Sequence, residues 1–442
     1  AGFVALERIR RLVVDDGLSF PEAIDTARPG LIFTTHTPVP AGIDMFSREL
    51  MERYFSSFAE QCGIPFDQLM AIGQANPNDF WSPFNMAVMA LRLAGAANGV
   101  SRLHGDVSRR MFSHLWPGVP IEEVPIGYVT NGIHPLTWEG PDSRSFLDRH
   151  LGNGWTDGAL PREAWERLRD VPDEEFWQLR ESTRPRLVKL VRDRVRRQLI
   201  ARGVEDVGWV DELFEPYALT FGFARRFAEY KRATLILSDL DRLHRILESG
   251  PVQIVFAGKA HPRDDGGKEL IRRVANLSND PRFRTRVVFL EDYDIALARQ
   301  LFQGVDAWLN NPRRPLEACG TSGMKAAYNG APNVSILDGW WDECHDHTNG
   351  WAIGGRDELT DPWAQDEADA RALYETIERD VMPSFYERDE AGIPRRWVAR
   401  VKANFATLGP FVGSGRMLRD YVDTLYAPAG RARDGVLPVE QP

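Results

Sequence analysis

Ala218-Leu219-Thr220-Phe221-Gly222-Phe223 is the stretch on which the fold turns, and Arg225-Arg226-Phe227-Ala228-Glu229-Tyr230-Lys231-Arg232 follows it almost at once. The first run is apolar and reads as a buried strand; the second is a burst of cations where that strand ends. From Tyr217 onward the pattern repeats. Strands are predicted at 217–223, 252–257, 286–290, 305–309 and 333–337, with helices between them at 230–248, near 265–277, at 294–302 and around 322–329. Strands alternating with helices of this kind predict an α/β fold with a parallel, doubly wound sheet. Such sheets bind ligands at the carboxyl ends of their strands.

Upstream, Leu31-Ile32-Phe33-Thr34-Thr35 and Ile126-Gly127-Tyr128-Val129-Thr130 read as two more strands, with helical periodicity over 84–94. Residues 143–205 are arginine-rich and helical in pattern, with an apolar stripe through Phe176, Leu179, Leu187, Leu190, Val191 and Leu199, and read as a surface or interdomain segment. The 442 residues, 43% hydrophobic and 27% charged, are enough for two cores. No apolar run approaches the roughly 18 residues that cross a bilayer. A formal charge of −10 argues against wholesale nucleic-acid binding. Cys62, Cys319 and Cys344 are too scattered for a disulfide framework, which fits a reducing, cytoplasmic setting. His345 and His347 beside Asp342 and Glu343 lack an ordered ligand spacing, so no metal is expected there.

Chemistry concentrates at the predicted strand ends. In Glu317-Ala318-Cys319-Gly320-Thr321-Ser322-Gly323-Met324-Lys325, small residues open a helix. Backbone N–H groups there can approach an anion closely, and the helix dipole adds positive charge. That dipole and nearby cations are expected to lower the Lys325 pKa and so favour the neutral nucleophile. Read alone, the same stretch is equally an ordinary glycine turn with a solvated lysine. The 225–232 cluster suits an oxyanion, or else is a solvated helix face. Gly258-Lys259-Ala260-His261 and Glu291-Asp292-Tyr293-Asp294 close two further strands. Among the upstream histidines His36, in a strand-end loop, has the best claim to a site. His104 reads as structural, and His134 is the third that could serve a site.

Taken in order, Thr34-Thr35-His36-Thr37-Pro38, Ala97-Asn98-Gly99-Val100-Ser101-Arg102-Leu103-His104, Thr130-Asn131-Gly132-Ile133, Glu229-Tyr230-Lys231-Arg232, Gly258-Lys259-Ala260 and the Glu317–Lys325 stretch resemble the α-glucan phosphorylases. These are the glycogen, starch and maltodextrin phosphorylases, and Gly339-Trp340-Trp341-Asp342-Glu343 and Asn349-Gly350-Trp351 look like the shorter bacterial branch. The resemblance implies a GT-B architecture, two Rossmann-like domains facing a cleft. It implies reversible phosphorolysis of α-1,4-glucan ends to glucose 1-phosphate with retention of configuration.

Carried over residue by residue, it makes Lys325 the attachment point of pyridoxal 5'-phosphate, with Gly320, Thr321, Ser322 and Arg225 around the cofactor phosphate and Tyr293 beside the ring. Arg226 and Lys231 would hold the substrate phosphate. Glu317, Cys319, Gly320, Tyr230, Asn131 and His36 would contact the sugar. The cofactor's phosphate would exchange a proton with the substrate phosphate. Implied partners are glycogen or maltodextrin, inorganic phosphate and glucose 1-phosphate, with a homo-oligomer allowed and neither nucleic acid nor membrane.

Residues 1–131 would then be the later part of an N-terminal domain whose start precedes Ala1. Residues 132–442 would be the cofactor domain, with a helical connector at about 143–205 and a terminal helix packing back on the first domain. The family's phosphate-covering glycine loop is expected upstream, which makes the isolated chain an inactive one. Tyr128 stands where the bacterial branch often has histidine, and the family's glucose-contacting histidine finds no match near Gly95-Ala96-Ala97. Two other readings are a catalytically incomplete carbohydrate- or phosphate-binding remnant, and a sugar-nucleotide glycosyltransferase of the same fold, which Lys325 disfavours.

Overall fold

The computed structural model describes residues 2–277 and 280–435. The chain divides into two compact units, one running to Thr130 and resuming at Met417, the other spanning Asn131–Arg416. The last seven residues expected in the second domain, 436–442, lie outside the described residues.

In the first unit, β1 (Ile32–Thr34) is followed by a short antiparallel pair, β2 (Met45–Phe46) and β3 (Phe84–Asn85), then by β4 (Ala96–Gly99) and β5 (Ile126–Tyr128). Strands β1, β4 and β5 form a three-stranded parallel sheet in the order β1-β4-β5, with Ile32 opposite Ala96 and Ala97 opposite Ile126. Leu6, Ile9, Phe20, Phe84 and Leu93 build a core within this unit. The Asn98 side chain donates to the Tyr421 hydroxyl at 3.1 Å, so the returning C-terminal helix is part of the same body.

The second unit is organised by a six-stranded parallel sheet: β6 (Leu219–Ala224), β7 (Val252–Ala257), β8 (Val287–Leu290), β9 (Ala307–Asn310), β10 (Asn333–Ile336) and β11 (Gly350–Ile353). Its order is β11-β10-β9-β6-β7-β8. β6, β7, β9 and β10 are buried along their whole length, as parallel strands covered on both faces must be. This is why they read as continuous apolar runs rather than as alternation. Gly222 allows the centre of β6 to lie against Trp308, since a Cβ there would meet the indole at 2.9 Å. The chain winds outward through β6, β7 and β8, then returns to the other side of β6 for β9. That reversal is the topological switch point, where the helices diverge and a crevice opens at the carboxyl ends.

Two sequence expectations are corrected. The helix Arg184–Ala201 is no surface connector: Leu187, Val191 and Val195 share a core with Val255, Val288, Leu301 and Trp308. Its arginines misled because its buried stripe is narrow and the remaining faces are wet. The helix expected over 230–248 starts only at Leu240, because Arg232 adopts a left-handed backbone (φ 47°) after a single turn at Glu229–Lys231. An L-residue in that region cannot propagate a right-handed helix.

Candidate functional site

Arg225 is the first residue beyond β6, and its backbone is pressed against the end of β7. The Arg225 N–H donates to Ala257 O at 3.2 Å, and a Cβ at Gly258 would meet Arg225 O at 2.1 Å. Glycine at 258 is therefore a steric requirement of the strand pair. Arg232, counted with its neighbours as a potential anion ligand, is turned away. Its guanidinium donates to Asn311 O (2.9 Å), Pro312 O (2.8 Å) and Asp366 (2.9 Å), and pairs with Asp369 at 2.8 Å. These bonds lock the loop after β6 to the loop after β9. Arg226 is exposed, and its side chain hydrogen-bonds that of Tyr230.

That lock brings the remaining cations onto one carboxylate. Glu317 accepts from Arg225 Nη2 and from Lys231 Nζ at 3.2 and 3.3 Å, and the three side chains are only 11%, 7% and 9% exposed. Burial by itself drives the Glu317 carboxyl up, but the charges and hydrogen bonds of Arg225 and Lys231 outweigh it and hold the group below the ordinary carboxylate range. Lys231 is brought down to about 8, first by burial and then by Arg225, against the opposing pull of Glu317. Its ammonium lies 4.9 Å from the Tyr230 ring, and burial pushes the Tyr230 phenol up to about 12.

Arg225 Nη1 also donates to Asn310 Oδ1 (3.1 Å), which accepts from Ser322 Oγ (3.3 Å); Ser322 Oγ in turn accepts from Trp308 Nε1 (3.2 Å). Ser322 and Arg225 are thus held on one amide oxygen at the end of β9. Behind the Glu317 loop, Asp338 accepts the N–H groups of Glu317 (2.9 Å) and Gly339 (2.8 Å). Its carboxyl is raised to about 8 by burial. Gly320 enters the helix Thr321–Ala327 in the left-handed region (φ 86°), and a Cβ at Gly323 would stand 2.2 Å from Asn333 Oδ1. Cys319 is buried and hydrogen-bonded to the main chain of Asn131, and burial raises its thiol pKa. Tyr293 reaches back from the loop after β8 to donate to Ala224 O at 3.4 Å.

Lys325 has different surroundings. Its Nζ sits 3.9 Å from the centre of the Trp138 ring and 5.7 Å from that of Phe302, and no carboxylate pairs with it among the described residues. Its pKa is lowered, but the cause is burial and not the dipole and cations expected from sequence. The lysine lies in the last turn of a short helix, away from the positive end. Asn329 fixes the platform: its Nδ2 donates to Trp138 O (3.0 Å) and Lys325 O (2.9 Å), and its Oδ1 accepts from Gly140 N (2.7 Å).

Trp138, Asn310, Asn329 and Asp338 escaped the sequence reading. Trp138 follows Pro135-Leu136-Thr137 far upstream, with no local signal to tie it to Lys325. Of the sequence-derived candidates, Arg225, Lys231, Glu317, Tyr230, Ser322 and Tyr293 are joined by these contacts. Thr321 opens the helix beside them. His36 belongs to the first unit, exposed on a cavity of about 680 Å³ that Thr34, Thr35 and Asp44 also line. His104 is buried there, its Nδ1 accepting from Val100 N–H at 3.2 Å, and burial lowers its pKa to about 4. Among the described residues no cluster of His, Cys, Asp and Glu has metal-site geometry, and no helix is long and apolar enough to cross a membrane.

The sequence model of the carbohydrate phosphorylases matches residues 2–350. Glycogen phosphorylase of Mycobacterium tuberculosis (strain CDC 1551 / Oshkosh) is 49% identical over 98% of this chain and 50% of its own length. Glycogen phosphorylase of Aquifex aeolicus is 41% identical over 96% and 61%. Maltodextrin phosphorylase of Thermococcus litoralis is 40% identical over 97% and 50%. The chain spans about half the length of the curated relatives it matches.

Proposed function

The chain belongs to the carbohydrate phosphorylase family, and on that premise we propose that it carries the pyridoxal phosphate and phosphate-handling centre of an α-1,4-glucan phosphorylase. The reaction is reversible phosphorolysis of glycogen or maltodextrin ends to glucose 1-phosphate with retention. The observation that carries the reading is Lys325: a half-buried amine, lowered in pKa by burial and without an acid partner among the described residues, on a helix opened by Gly320 at the switch point. An amine depressed in this way is a nucleophile toward an aldehyde.

The surrounding residues fit the cofactor. Arg225 Nε is buried with no hydrogen-bond partner, a donor left over for an oxyanion. Lys325 would hold pyridoxal phosphate, with Arg225, Gly320, Thr321 and Ser322 near its phosphate and Tyr293 near its ring. When bound, the cofactor supplies a phosphate that exchanges a proton with the substrate phosphate. The chain's own part is electrostatic. Arg226 and Lys231 gather the second anion, and charge-assisted contacts of this kind are the strong ones where water is scarce. Tyr230, Glu317 and Asn131 offer donors and acceptors to sugar hydroxyls, with Cys319 and Gly320 shaping the wall. The relatives' names support this enzyme reading over a binding remnant.

Borohydride reduction of protein incubated with pyridoxal phosphate, followed by peptide mapping, should place the label on Lys325. Label at another lysine, with Lys325 unmodified, overturns the assignment.

A further inference from the structure

We propose that Glu317 is a displaceable internal anion: its carboxylate, held also by Arg225, occupies the seat of an incoming phosphate on Lys231, and phosphate binds by exchanging with it. The inference rests on the reading of Lys231 and its neighbours as the phosphate-holding cations. One carboxylate faces two nearly buried cations, with Arg226 in the same loop after β6, so the site keeps positive charge even when Glu317 is in place. A phosphate carries more charge and more acceptor oxygens than a carboxylate, so it can satisfy donors that Glu317 does not. If Glu317 stayed, two anions would share one desolvated pocket, which is strongly unfavourable.

The exchange needs no movement of the loop. The Glu317 backbone is pinned by its N–H to Asp338 at 2.9 Å, so the side chain alone must rotate. Once released, the carboxylate is an acceptor for a sugar hydroxyl, the role the proposed function gives it. Phosphate occupancy and sugar binding are then linked through one side chain, and linkage of this kind is reciprocal.

The test is titration of inorganic phosphate into the full 442-residue chain loaded with pyridoxal phosphate, at constant ionic strength, comparing wild type with Glu317→Gln and Glu317→Asp. Glu317→Gln should bind phosphate about tenfold or more tightly, the scale of one charge-assisted contact withdrawn from competition. Glu317→Asp, which keeps the charge, should change affinity far less. A residue that merely supports the fold would not improve ligand binding when altered. Should Glu317→Gln be poorly folded alone, phosphate should raise its Tm by more than it raises that of the wild type. Equal or weaker phosphate binding by Glu317→Gln, or no extra thermal gain, overturns the proposal. Absence of phosphate binding in every protein, with Lys325 still labelled, overturns it while leaving the cofactor assignment standing; absence of both overturns the two together.

Discussion

Lys231 and Lys325 sit at the ends of neighbouring strands of one sheet, and both have lowered pKa values, yet the molecule treats them in opposite ways. Around Lys231 the charge is compensated: Glu317 bridges it to Arg225, and the Arg232 network clamps the loop that carries it. Around Lys325 there is no carboxylate among the described residues, only the faces of Trp138 and Phe302. A compensated lysine stays charged and gathers anions. An amine that burial depresses and no carboxylate holds can give up its proton and attack. Under the proposed function the difference separates two tasks, holding phosphate and anchoring an aldehyde.

The largest effect should come from erasing the uncompensated amine. Lys325→Ala should abolish the borohydride-stabilised pyridoxal label altogether, read by mass spectrometry, while leaving phosphate binding at the other cluster in place. Loss of both would mean that the two regions are not separate. Next, Arg225→Met should destabilise the protein by about 3 kcal/mol in denaturant unfolding, because it leaves Glu317 buried with one cation fewer. A cost near zero would show the ion pair to be as dispensable as a surface one.

A smaller effect should follow pH. With Lys231 at about 8, phosphate affinity should fall as pH rises through that value, roughly tenfold across the transition. Lys231→Arg should flatten the profile. The stability sign is separate: a lysine depressed from 10.5 to about 8 is held neutral in the fold over that interval, so its burial cost is full below pH 8 and relieved as pH rises from 8 to 10.5. Smallest is Trp138→Leu, which keeps Lys325 covered but removes the π face that favours its protonated form. The Lys325 pKa should fall further, seen as labelling that persists to lower pH. A rise would show that Trp138 acts mainly by shutting out water.

Phe221, Gly222 and Phe223 stood in the sequence as part of an apolar run, and in the structure they are the centre of a parallel sheet; that inference needed only periodicity and strand length. The Glu317–Lys325 stretch was legible for a similar reason: small residues before a lysine form a local pattern. Arg232 was misread because adjacent cations look alike in sequence, whereas one left-handed residue sends this side chain to Asp366 and Asp369. Trp138 was missed because its relation to Lys325 spans nearly two hundred positions and runs through the Asn329 side chain.

By itself, then, the sequence determined the alternation of strand and helix, the places where strands end, and the residue types available there, since all of these follow from local propensity and burial. Only the tertiary structure decided which cation meets which partner. The distance between a side chain and its counter-ion depends on how strands order in the sheet and how loops lock, and in this chain that put Glu317 on Lys231 and an indole under Lys325.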